Sequence, residues 1–135
     1  MGTWGVGSFE NDQALDWVGE LEGCDDFSWI EECLGVDPGR KDLDVCIGTD
    51  VVAASEAVAA MLGRPASDLP EELAAWIVQH RSLDAVAHRD KAIALLEAVL
   101  SERSELCRLW QANPEELPGW KQGVHDLISR LRTAF

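Results

Sequence analysis

Apolar residues along this chain recur at helical spacing, and no segment sustains the two-residue alternation of a strand. Ala14, Leu15, Val18 and Leu21 mark a first helix, with Asn11 or Asp12 placed to cap it and Gly23 where a left-handed cap would close it. Phe27, Ile30, Cys33 and Leu34 give a short second helix its inward face, Gly35 stops it, and Trp29, Glu31 and Glu32 point outward. Residues 36–42 read as a turn and loop around Pro38 and Gly39, followed by a brief extended segment from Leu43 to Ile47. Thr49 or Asp50 then starts an alanine-rich helix over 51–62, ended by Gly63 with Pro65 beyond. Its single charge, Glu56, predicts that this helix is the most buried element.

Pro70 stands in the first turn of a fourth helix, where its missing N–H is harmless, and Leu73, Trp76, Ile77 and His80 form its stripe. A long helix runs from about Asp84 to Gln111 on a seam of Val86, Ile93, Leu96, Val99, Leu100, Leu106 and Trp110, with Ser101 the candidate break. Asn113 and Pro114 end it, and a last helix begins near Pro118 on Trp120, Val124, Leu127, Ile128 and Leu131. Ahead of all these, Gly2, Gly5 and Gly7 carry Trp4 and Phe9 in a lead loop suited to packing on the core. Asp16, turned inward, would accept from the amides of residues 2–5 and pin that loop. The prediction is an all-α fold, a single compact domain over 1–135 of five or six helices with a Gly/Trp-rich lead loop packed on the core.

Charge changes the picture most. The net charge is −14, and residues 1–50 carry thirteen acids against only Arg40 and Lys41. Phosphate binding needs the opposite sign, so nucleic acid is excluded as a partner. An acidic surface suits a basic protein partner, a cation or solubility alone. No apolar run approaches the ~20 residues that span a bilayer, and no basic-then-apolar leader opens the chain. The expected setting is the cytoplasm, away from membranes. Cys24, Cys33, Cys46 and Cys107 contain no Cys-x-x-Cys pair, which fits reduced, mostly buried thiols.

Candidate chemistry is sparse. His80, His88 and His125 have no metal-ligand spacing, and Gly5-Val6-Gly7-Ser8 is neither a nucleophile elbow nor a dinucleotide loop. No catalytic residue and no cofactor is expected. Asp12, Asp16 and Glu20 recur at four-residue steps on one helix face, and Asp25 and Asp26 follow nearby. They are a candidate divalent-cation site of oxygen ligands, although the spacing is not that of an EF-hand loop. Trp17 and Trp29 are the tryptophans expected to be exposed on this acidic half, where an aromatic rimmed by carboxylates would anchor a basic partner.

Three motifs carry a family resemblance: Met1-Gly2-Thr3-Trp4-Gly5, Phe9-x-Asn11-Asp12-x-Ala14-x-Asp16-Trp17, and Ser104-Glu105-Leu106-x-x-Leu109-Trp110. With them the chain resembles the small bacterial proteins grouped as domain of unknown function 4259, nearly end to end. Trp4 and Gly5 belong to the first of these motifs, and Asn11 and Asp12 to the second. The resemblance implies no activity, cofactor or catalytic residue. The leading expectation is therefore a non-enzymatic interaction protein for a basic partner, of the immunity or inhibitor type, using Asp12, Asp16, Trp17, Glu20 and Trp29. The alternative is a metal-binding protein or enzyme built on Asp12, Asp16 and Glu20.

Overall fold

One helix, apolar on every side, has the others wrapped around it. The computed structural model describes Thr3, residues 5–80 and residues 84–134. Among these the α-helices are α1 (Asp12–Glu22), α2 (Ser28–Leu34), α3 (Val45–Met61), α4 (Glu71–Gln79), α5 (Arg89–Val99), α6 (Glu105–Gln111) and α7 (Leu117–Thr133), with a 3-10 turn at Val86–His88 leading into α5. The all-α prediction holds. The helices number seven among the described residues rather than five or six.

Helix α3 is the central element. Every residue from Val51 to Ala59 is buried, and α3 packs against each of the other six helices. A helix that is apolar all round has nowhere to go but the interior. Small residues set how closely its neighbours approach: a Cβ on Gly48 would sit 3.3 Å from Cβ of Leu106 on α6. The helix ends as its sequence proposes. Gly63 takes φ +87°, and the N–H groups of Gly63 and Arg64 reach back to the carbonyls of Ala60 and Ala59 at 3.0 and 2.8 Å.

The start of α3 corrects the expected extended segment. Asp44 accepts a hydrogen bond from the Ile47 N–H at 2.9 Å and caps a helix that begins at Val45, ahead of Thr49. Within residues 43–47 the strand-like position, in an isolated bridge with Ser104, is Leu43 alone. Its N–H donates to the Arg103 carbonyl at 3.0 Å, and its own carbonyl accepts from the Glu105 N–H at 2.8 Å. The Glu105 carboxylate also receives the Val45 N–H at 2.7 Å, tying the start of α3 to the start of α6.

That same junction divides the expected long helix. The buried Ser104 hydroxyl accepts from the Cys107 N–H at 3.1 Å and gives α6 its own cap. At the other end the chain enters through the 3-10 turn, whose different period leaves Val86 52% exposed instead of in the seam. Two smaller differences concern helix ends. Gly23 has φ −83°, so α1 closes by a right-handed turn in which Cys24 N–H reaches the Leu21 carbonyl at 2.9 Å. Pro70 occupies the cap position of α4 rather than its first turn.

The core draws on α1, α2, α4, α5 and α7 around α3, with Trp17, Leu21, Ile30, Leu73, Leu96 and Leu127 essentially sealed. No helix among the described residues is long and apolar enough to cross a membrane.

Candidate functional site

The acidic half of the chain folds into an outward-facing surface. Asn11 caps α1 by accepting from the Ala14 N–H at 2.8 Å, which sets the rotation of the helix. Ala14, Trp17, Val18 and Leu21 then face the core, and Asp12, Asp16 and Glu20 stand exposed along the other side. Between residues 12 and 37 nine carboxylates are exposed. Among the described residues none of them pairs with a lysine or arginine, and the nearest cationic candidate is His80, 3.9 Å from Asp25. Asp12, Asp16 and Glu20 follow one another up the helix at four-residue steps. Among the described residues no group of three His, Cys, Asp or Glu side chains is placed to hold a metal.

Both tryptophans expected on this surface turn inward. Trp17 is 1% exposed and its ring N–H donates to the Cys33 sulfur at 3.2 Å. Trp29 is half-buried; its ring N–H donates to the Trp17 carbonyl at 3.2 Å, and the two rings lie 6.4 Å apart. Their helical register places them on the seam between α1 and α2, where a large ring fills the core. Burial also pushes the Cys33 thiol up to about 11, with the Trp17 N–H acting the other way and the Asp50 and Glu32 charges adding to the rise.

The surface gains members that sequence reasoning missed. Helix α4 packs beside α1, and Glu22, Glu71, Glu72 and Gln79 line a shallow groove of about 330 Å³ over the Trp76 ring. Leu15 (41% exposed) lies seven residues before Glu22 on one side of α1, and Val78 (57% exposed) seven after Glu71 on α4. Glu71 and Glu72 read locally as dipole-favoured first-turn acids. Only the packing of α4 on α1 adds them to the acidic face.

The lead loop is held by residues other than the predicted Asp16, which is exposed. Glu10 accepts the Gly7 N–H at 3.0 Å, and its carboxylate fills the space that a Cβ on Gly5 or Gly7 would need. The Ser8 hydroxyl donates to Glu56 at 2.7 Å. Of the first two motifs, Gly5, Asn11 and Asp12 are placed as above, and Trp4 lies outside the described residues.

Glu56, the one charge in the fully buried Val51–Ala59 stretch of α3, is the anchor of a polar knot. Arg130 of α7 donates to both its carboxylate oxygens, at 3.0 and 3.3 Å, and to Asp126 at 2.9 Å and the Arg64 carbonyl at 3.0 Å. Burial pulls the Arg130 pKa down, but the bonds and charges of Glu56 and Asp126 outweigh it and raise it above the ordinary value. The knot lies along a cleft of about 850 Å³ between the lead loop, the first half of α3, α6 and α7.

The histidines join no group of three metal-ligating side chains among the described residues. His80 stacks on Trp76 with centroids 4.1 Å apart and places Nδ1 2.7 Å from the Trp76 carbonyl, so that nitrogen carries the proton. His88 meets Phe27 edge-on at 5.0 Å, and His125 is exposed on α7.

No curated protein and no solved structure matches the chain. A family model does, over residues 2–123, and the chain belongs to that family, described as Domain of unknown function (DUF4259).

Proposed function

We propose that this member of the DUF4259 family works by binding a protein partner with a basic surface, through the acidic face of α1 and α4, and not by catalysis. The supporting observation is the set of nine exposed carboxylates between residues 12 and 37 that have no lysine or arginine partner among the described residues. Like charges at four-residue steps, such as Asp12, Asp16 and Glu20, each destabilise a helix by a few tenths of a kcal/mol. A cationic surface laid over them relieves that repulsion and steers the encounter. With Trp17 sealed in the core, the apolar contacts of this reading are Leu15 and Val78 beside the Glu22, Glu71 and Glu72 groove.

A matched pair of charge variants tests it. One carries Asp16→Asn, Glu20→Gln and Glu72→Gln on the face; the other carries Glu97→Gln, Glu102→Gln and Glu115→Gln elsewhere, with the same net charge. Affinity capture from the source organism's lysate should recover a basic protein with the wild type and the second variant, and lose it with the first. Equal recovery by both variants would refute the assignment of the face.

A further inference from the structure

The large cleft is separate from the acidic face, and its chemistry is more specific. At about 850 Å³ it falls within the range of small-molecule sites, roughly 300–1,000 Å³. Its walls are mainly apolar: Val52 of α3, Leu106 of α6 and Val124 of α7 contribute, and the half-buried Trp110 stacks on the buried Trp120 at 6.3 Å and 17°. Its charged lining is one-sided. Glu56, Asp68 and Asp126 share the lining with a single guanidinium, Arg130, and no lysine or histidine contributes among the described residues. Arg130 is already committed to Glu56, Asp126 and the Arg64 carbonyl, which leaves a net charge of −2 and Asp68 without a cationic partner among the described residues. Among the further polar groups of the lining is Thr49, which is 6% exposed and whose hydroxyl makes no hydrogen bond among the described residues.

We propose that this cleft binds a small amine with an aromatic or bulky apolar body. The ammonium group is drawn to Asp68 and Asp126. The body lies on Val52, Val124 and the Trp110 ring, which also offers its face to the cation. The Thr49 hydroxyl supplies a hydrogen bond at the apolar end. An anionic ligand is disfavoured because the one guanidinium that lines the cleft among the described residues is neutralised twice over. The Ser8–Glu56 bond makes the lead loop one wall of the site, so ligand and loop order are coupled.

The test uses three ligands of one shape and different charge: tryptamine, 3-ethylindole and indole-3-propionate. Each is titrated into the ¹⁵N-labelled full chain and followed by amide and indole N–H shifts. Tryptamine should give saturable shifts at Thr49, Gly123 and the Trp110 indole, with affinity about tenfold or more above the carboxylate. Asp68→Asn with Asp126→Asn should weaken tryptamine about fivefold or more while leaving the spectrum otherwise folded. Thr49→Val should weaken it by a smaller factor. Saturation by none of the three up to about 10 mM, weaker than any useful site, would overturn the proposal. Equal affinity for all three charges would overturn it too.

Discussion

Replacing Glu56 by alanine should be among the most destabilising single substitutions in this protein, and the structure sets how large the effect is. The Glu56 side chain is 4% exposed and that of Arg130 13%. The carboxylate accepts from Ser8 and twice from Arg130. Removing one member of a buried ion pair costs about 3–5 kcal/mol, because the other charge is left in a poor environment. Arg130 keeps its bonds to the more exposed Asp126 and to the Arg64 carbonyl, which places Glu56→Ala near the lower end, about 3 kcal/mol. With a urea m-value of about 2 kcal/mol/M, the unfolding midpoint should fall by about 1.5 M. The double variant Glu56→Leu with Arg130→Met removes both charges together. It should lose less than the two single changes summed, with a coupling of about 2 kcal/mol. Urea unfolding followed by tryptophan fluorescence measures all of these. A loss under about 1 kcal/mol for Glu56→Ala, or strict additivity in the double variant, would refute the idea that the pair is buried and coupled.

Other consequences are independent of the knot. The Ser55 hydroxyl on α3 is buried and makes no hydrogen bond among the described residues, so Ser55→Ala should raise stability by about 1 kcal/mol in the same assay; a loss of that size would show that the hydroxyl has a partner. Asp50 has its pKa raised by burial, against the lowering effect of the Gln13 hydrogen bond and with the Asp44 charge adding to the rise. Its folded pKa therefore lies above its unfolded one, and ionisation disfavours the fold. Asp50→Asn should stabilise at neutral pH, with the gain fading as pH falls through the folded pKa and gone below 3.8, the ordinary value; a gain that persisted in acid would contradict this. Among the thiols, exposed Cys46 should react first with an aromatic disulfide reagent at pH 8, while Cys33, pushed up to about 11, and buried Cys107 wait for unfolding. Fast labelling of Cys33 would mean that the α1–α2 seam opens. Calorimetric titration with calcium, magnesium, zinc and manganese should show no saturable heat, and heat abolished by Asp16→Asn would restore the metal reading.

What the sequence revealed followed from period and caps. Helices α1, α2, α4 and α7 carry apolar residues at three- and four-residue steps, and the fold uses those faces. The boundaries that were missed depend on partners distant in the chain. Val45-Cys46-Ile47 is a β-branched-rich run that reads as extended, and becomes a helical turn because Asp44 caps it and Glu105, sixty residues on, receives the Val45 N–H. The break expected near Ser101 is there, between Val99 and Glu105, and the structure adds what makes it: Ser104 caps α6 while its neighbours pair with Leu43.

The site was less legible than the fold for the same physical reason. The run of acids is visible in one dimension, and so is the isolation of Glu56 in an apolar helix. The pairing of Glu56 with Arg130, 74 residues away, is not, nor is the addition of Glu71 and Glu72 to the α1 face. Trp17 and Trp29 lie among acids in sequence, which suggested exposure. Trp17 falls three residues after Ala14 and four before Leu21, on the apolar stripe itself, and that register was the signal for burial.

Capture by the two charge-matched variants tests the central proposal most directly. If the acidic face of α1 and α4 binds a basic partner, a protein retained by the wild type and by the Glu97, Glu102 and Glu115 variant at low salt will be lost from the Asp16, Glu20 and Glu72 variant, and its retention will fall as salt rises. Equal retention by both variants, or no retained protein, would contradict it.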